Sequence, residues 1–235
     1  MSPTNPEYML SSRVRLFRWV FRPVFRLLFN LLSEVQISGK ENIPTSGAYL
    51  IAINHVSLFE PPLVLSFWPI AAEAVGAQDI WQRRGQSSLV RYYGGIPVRR
   101  GEYDRRLLDT MVAVLKSGRP LLIAPEGGRS HTPGMRPAYP GVAYVVDKVK
   151  VPVLPVGIAG TTDDFLRKAL RGQRPRLEMR IGAPMNLPEV IGKRDERRDL
   201  LKRNTDSIMY KVAALLPPEY HGVYGNRDVT LIETA

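Results

Sequence analysis

The chain of 235 residues contains no cysteine and only three histidines, His55, His131 and His221. Without thiols there is no disulfide framework, no cysteine nucleophile and no Cys-based zinc or iron–sulfur site. Three scattered histidines give little support for an imidazole-rich metal cage. There is also no uncharged apolar run of the roughly 20 residues a membrane-spanning helix needs. Residues 11–32 also lack the clean apolar run and small-residue cleavage site that a signal peptide needs. Acids are in short supply: Asp and Glu total 22 against 33 Lys and Arg, a net charge of +11. Such a surplus implies anionic partners, whether nucleic acid, a membrane surface or phosphorylated small molecules. What is present is otherwise ordinary, with 44% hydrophobic and 23% charged residues, which excludes wholesale disorder. The length fits one large domain with at most an appended segment.

The charge is spread unevenly, with a large share at the start and a body that is basic too. Residues 11–32, SSRVRLFRWVFRPVFRLLFNLL, hold five arginines and no acid. Arg15, Arg18, Arg22 and Arg26 recur at helical spacing, while Phe17, Trp19, Val20, Phe21, Val24, Phe25, Leu27, Leu28 and Phe29 fill the other positions. This pattern predicts a helix lying in a membrane interface, aromatics in the acyl boundary and arginines at the headgroups. The alternative is an amphipathic helix packed on the domain. Pro23 is expected to kink or divide it. The aromatics share a helix with the arginines instead of forming a stacking platform on strands, and no nucleic-acid module is recognisable, which argues against nucleic acid as a partner.

Beyond residue 33, short apolar runs alternate with helical patterns. AYLIAIN (48–54), PLLIAP (120–125), VPVLPVGI (151–158) and LEMRI (177–181) read as strands, with VQIS (35–38) and GIPVR (95–99) as weaker candidates. Residues 104–118, 141–149 and 194–216 read as helices. Buried strands interleaved with helices predict an α/β fold: a layered αβα domain around a mixed or parallel sheet, preceded by the amphipathic helix. The expected organisation is a segment 1–33, a domain 34–220 and an irregular tail 221–235.

In layered α/β folds, ligands gather where strands end. After the first run comes Asn54-His55-Val56-Ser57-Leu58-Phe59-Glu60. A carboxylate five residues past a histidine, across one turn, can reach back to the ring, set its tautomer and make it a general base. The same pair also suits a structural histidine whose ring is merely satisfied. After the second run comes Glu126-Gly127-Gly128-Arg129-Ser130, where glycines let a ligand approach backbone amides and an arginine can fork onto a phosphate. A glycine turn with a solvated arginine would look identical. Between them, Gly94-Gly95-Ile96-Pro97-Val98-Arg99-Arg100 is a second glycine turn leading to arginines. The loop Gly157-Ile158-Ala159-Gly160-Thr161-Thr162 offers little chemistry of its own.

The order of these blocks, a strand into NHxxxxE, a GGxPxxR block, a strand into PEGGRS and then VPVLPVGI, resembles the glycerolipid acyltransferase family of the 1-acylglycerol-3-phosphate acyltransferase type, over residues 35–185. The resemblance implies that His55 deprotonates the acceptor hydroxyl and Glu60 orients it. It likewise implies that Gly94, Arg100, Glu126, Gly127, Gly128 and Arg129 form the site for the acceptor's phosphate and glycerol, and that residues 151–156 lie toward the acyl chain. The implied donor is acyl-CoA or acyl-carrier protein, the acceptor a lysophospholipid, and the location the cytoplasmic face of a cell membrane, held through residues 11–32. No metal or cofactor is called for, since a thioester is already activated. The sequence departs from the family at Glu60 (usually Asp), Pro97 (usually Phe), Gly128 (usually Thr) and Tyr139, where a lysine often precedes the glycine. Three rival readings are a non-catalytic lipid-binding protein, a nucleic-acid binder and a hydrolase using the same His–Glu pair on water.

Overall fold

The computed structural model describes residues 8–99 and 104–225. Among these residues the strands are β1 (Glu34–Ser38), β2 (Leu50–Ile53), β3 (Glu73–Ala77), β4 (Ile96–Val98), β5 (Leu121–Ile123), β6 (Val153–Ala159) and β7 (Arg176–Ile181). They form one sheet in the order β1-β7-β6-β2-β5-β3-β4. Every neighbouring pair is parallel except β6 and β7, so β7 and β1 run against the rest. The α/β expectation holds, with a mixed sheet. Pro97 is tolerated because β4 is an edge strand, where a missing N–H costs no ladder bond.

The helices are α1 (Ser12–Leu32), α2 (Glu60–Phe67), α3 (Gln86–Tyr93), α4 (Arg105–Lys116), α5 (Gly141–Val149), α6 (Phe165–Leu170) and α7 (Arg194–Ala213). Both sheet faces are covered. Ile51, Ile53, Leu154, Val156 and Ile158 pack with residues of α1, α2 and α6. The alternate residues Leu50, Ala52 and Val153 pack with α5 and α7. This period-2 division explains why β2 and β6 read as continuous apolar runs: each is buried on both faces. Past α7 the chain stays packed, with Tyr224 buried and its hydroxyl accepting from the Ala138 amide at 3.0 Å.

Helix α1 runs unbroken through Pro23, but Arg18, Arg22 and Arg26 bond inward to the domain, contrary to the expectation of headgroup contact, while Arg13 and Arg15 stay exposed. Arg18 is buried and forks onto the buried Glu73 of β3, at 2.7 and 2.6 Å, while its Nε donates to the Tyr93 carbonyl at 2.8 Å. Arg119 and the Tyr8 hydroxyl also donate to Glu73, each at 2.8 Å. Burial alone would raise the Glu73 carboxyl, but the hydrogen bonds and charge of Arg18 hold it below its ordinary value. Arg22 donates to the carbonyls of Trp68 and Pro69, and Arg26 to that of Ser66 at 2.9 Å. These carbonyls lie at the C-terminal end of α2, where unpaired acceptors and the helix dipole favour cations. With Arg18, Arg22, Arg26, Phe21 and Phe29 turned inward, the outer side shows Leu16, Trp19 (75% exposed), Val20, Val24, Leu27, Leu28 and Leu31 (62% exposed). No helix among the described residues is long and apolar enough to cross a membrane.

Replacing Arg18 by alanine leaves a buried carboxylate short of its bidentate partner. The expected cost is about 3 kcal/mol of unfolding free energy, measured by urea denaturation. A loss under about 0.5 kcal/mol, the size of an ordinary surface change, would contradict this role.

Candidate active site

Strand β2 delivers the site. Asn54, just past its end, is fully buried and exchanges two hydrogen bonds with Ile158, donating to its carbonyl at 2.9 Å and accepting from its amide at 2.8 Å. The tips of β2 and β6 are thereby tied together. His55 to Phe59 then turn into α2, whose first residue is Glu60; Pro61 and Pro62 fit there because first-turn amides have no helical partner.

Glu60 and His55 meet as expected, His55 Nδ1 lying 3.0 Å from Glu60 Oε2. The Glu60 carboxylate is fully buried and well supplied with donors: the Ser57 amide at 2.9 and 3.1 Å, the Ser57 hydroxyl at 3.2 Å and the Thr161 hydroxyl at 2.5 Å. Its place at the start of α2 adds a favourable dipole. A carboxylate can only accept, so this contact assigns the ring hydrogen to Nδ1 and leaves the Nε2 lone pair available. Thr161 therefore does have a chemical role, contrary to the sequence reading of its loop. No local pattern could show it, because its partner lies 101 residues away.

Glu126 sits just past β5 on the other side of His55. It is 1% exposed, and its two oxygens accept from the backbone amides of His55 (2.8 Å) and Arg136 (2.7 Å). Burial pushes this carboxyl up to about 7, with the Arg136 and His55 amides pulling the other way. The loops are stitched further by the Ser130 amide to the His55 carbonyl (2.9 Å) and the His131 amide to that of Val56 (3.2 Å). Gly127 has a left-handed backbone, and a Cβ there would stand 2.7 Å from Cε2 of Tyr139. Glycine is required at that position on both counts.

Two cavities adjoin. An apolar one of about 830 Å³ is walled by Phe21, Phe25 and Phe29 of α1, with Phe59, Trp81 and Met111, and His55 lines it. A polar one of about 480 Å³ is lined by Arg83, Arg129, Arg136 and His131, with Glu126, Gly127, Gly128 and Tyr139. Arg83, Gly127, Arg129 and Tyr139 line both, so the cavities share a wall. Arg129 is largely buried, its closest carboxylate being Asp163 at 3.8 Å; His131 Nδ1 contacts the same Asp163 at 2.8 Å.

The structure thus gathers His55, Glu60, Glu126, Gly127, Gly128 and Arg129. Gly94 is elsewhere in role: it ends α3 in a left-handed conformation, abuts Val14 and Arg18 of α1, and lines neither cavity. Arg100 lies outside the described residues. Arg83, Arg136 and Asp163 escaped the sequence reading because none stands in an ordered block next to a strand end. Among the described residues no group of His, Asp and Glu is placed to hold a metal ion.

The chain is similar to known proteins in sequence and in fold. The chain is 21% identical over 157 residues to 1-acyl-sn-glycerol-3-phosphate acyltransferase alpha of Bos taurus, covering 65% of this chain and 54% of that protein. It is 21% identical over 164 residues to the 1-acyl-sn-glycerol-3-phosphate acyltransferase of Bacillus subtilis, covering 68% and 78%. The chain spans about half the length of the mammalian relatives it matches. The fold is like that of the 1-acyl-sn-glycerophosphate (LPA) acyltransferase PlsC from Thermotoga maritima, with a TM-score of 0.59 at 23% identity over 85% of this chain and 82% of that one. A family model described as Acyltransferase matches residues 34–159, from the first residue of β1 to the last of β6. That match takes in more than half of the sequence, and the chain belongs to the acyltransferase family.

Proposed function

We propose that this protein moves a fatty acyl group from a thioester donor, acyl-CoA or acyl-carrier protein, to the free hydroxyl of 1-acylglycerol-3-phosphate, forming phosphatidic acid. One observation carries the reading: an imidazole fixed by a buried carboxylate lines an apolar cavity of about 830 Å³, and an arginine-lined polar cavity adjoins it.

In this reading the acceptor's phosphate sits with Arg129, which places its hydroxyl against His55. Nε2 takes the hydroxyl proton as the oxygen attacks the thioester carbonyl, a step such bases accelerate by about 10²–10⁴. Glu60 supports the charge the ring gains. The tetrahedral intermediate then collapses, the carbon–sulfur bond breaks, and the proton held by His55 passes to the departing sulfur. One ester and one thiol result. Fixing the hydroxyl beside the carbonyl removes entropy worth roughly 7–11 kcal/mol. The Gly127 amide already donates to the Ala124 carbonyl at 3.1 Å, so of the two glycines Gly128 is the one whose amide can meet the developing oxyanion. Ser57 spends both its amide and its hydroxyl on Glu60, which argues against a serine acyl-enzyme.

The outer ridge of α1 supports work at a membrane surface, on the cytoplasmic face where anionic lipid attracts a +11 protein. Leu16, Trp19, Leu27, Leu28 and Leu31 would enter the acyl boundary, while the inner side of the same helix walls the cavity. An acyl chain could then pass from bilayer to cavity without crossing water.

Purified protein given palmitoyl-CoA and vesicles carrying lysophosphatidate is expected to make phosphatidate with one thiol released per ester. Thiol release with free fatty acid as the product would make it a hydrolase; acylation of glycerol-3-phosphate or lysophosphatidylcholine in preference would reassign the acceptor. Replacing Trp19 and Leu28 by serine together should weaken sedimentation with anionic vesicles by at least about tenfold, since each large apolar group is worth roughly 1.5–3 kcal/mol when buried. Unchanged sedimentation would place the membrane contact elsewhere.

A further inference from the structure

We propose that Arg136 is a specificity-determining residue for the acceptor headgroup, supplying the cation that Tyr139 does not, and that it selects a phosphomonoester over neutral or zwitterionic acceptors. The proposal rests on the acyltransferase reading above and adds a residue that lies outside every block carrying the family resemblance.

Tyr139 precedes Pro140 and Gly141 beside the polar cavity. Its amide donates to the Pro125 carbonyl at 2.9 Å and its ring lies across Gly127, so the position presents an aromatic face with no positive charge. Three arginines line the polar cavity it borders. Arg83 is already engaged, its Nη2 lying 2.6 Å from Asp79. Arg129 has one distant carboxylate, Asp163 at 3.8 Å. Arg136 differs from both. Its guanidinium makes one hydrogen bond, from Nη1 to the Arg129 carbonyl at 3.3 Å, and among the described residues no carboxylate lies within ion-pair distance of it. A guanidinium has five N–H donors in a planar fork suited to phosphate, so most of that capacity faces the cavity unspent.

The backbone of Arg136 is also held in register with the base. Glu126 accepts from the amide of Arg136 with one oxygen and from the amide of His55 with the other. One buried carboxylate therefore spans the residue that takes the proton and the residue that carries the cation. A doubly charged phosphate between Arg129 and Arg136 would receive charge-assisted bonds from both. A choline phosphodiester brings one negative charge and a bulky cation of its own, and a headgroup with no phosphate brings no charge, so neither matches two guanidiniums as a phosphomonoester does.

The test uses full-length protein with palmitoyl-CoA and acceptors carried at the same low mole fraction in neutral phosphatidylcholine vesicles, and each variant is compared with wild type on the same vesicles, so that surface charge is matched within each comparison. R136A is expected to raise KM for lysophosphatidate by about tenfold to a hundredfold, with kcat within about threefold, because one charge-assisted contact is lost before the chemical step. KM for monoacylglycerol should not move, and R136K should recover part of the loss for lysophosphatidate. Arg136 is an exposed side chain, and unchanged thermal melting of both variants would verify folding. An unchanged KM for lysophosphatidate in R136A, in a protein that still makes phosphatidate, overturns the proposal and leaves the acyltransferase reading standing. Equal losses for lysophosphatidate and monoacylglycerol would overturn it too, as the sign of a general structural effect. A wild-type protein that esterifies no acceptor sinks the underlying reading first.

Discussion

Everything at the centre of this molecule depends on one buried carboxylate. Glu60 has no exposure to solvent, and an isolated charge in such a place would cost several kcal/mol. It is made tolerable by donors from two strand ends: Ser57 and His55 after β2, and Thr161 after β6. Those strands are neighbours and parallel, so their C-terminal ends emerge side by side. Asn54 locks them there through paired hydrogen bonds to Ile158. The orientation of the His55 ring is thus a product of sheet topology, and Glu126 fixes the peptide of the same residue from the opposite side.

A second buried pair sets the outer boundary. Arg18 on Glu73 determines which side of α1 faces the protein. Once that is settled, Phe21, Phe25 and Phe29 wall the apolar cavity, and Trp19 and the leucines form a ridge in solvent. A large exposed apolar ridge on a globular protein calls for an apolar partner. The positive charge then divides by role: Arg18, Arg22 and Arg26 bind α1 to the domain, and Arg129 and Arg136 enter the polar cavity.

Much of this was legible in the sequence, and the gaps have physical causes. Strands β2, β5 and β6 announced themselves as apolar runs because both their faces are covered, and α1, α4 and α5 by their periodicity. Strand β3, EAVGA, carried no such signal, since its first residue is the buried acid that receives Arg18. Helices α2, α3 and α6 are eight residues or fewer, too short for a helical period to show. The direction of the α1 arginines could not be read because the helix is apolar on its remaining sides, and only a distant acid decides which way it docks. Among the candidate site residues, His55, Glu60, Glu126 and Arg129 were noticeable in the sequence because each follows a strand within a few residues. Thr161 was not, because its partner lies 101 residues away, and neither was Arg136, which stands in no ordered block next to a strand end.

The account stands or falls on the imidazole. The most direct measurement is the single-turnover rate of ester formation in H55A, compared with wild type under saturating donor and acceptor and with folding verified by circular dichroism. The account predicts a fall of about 10²–10⁴ with the acceptor still bound, as loss of a general base requires. A folded H55A protein that forms ester at the wild-type rate would contradict it.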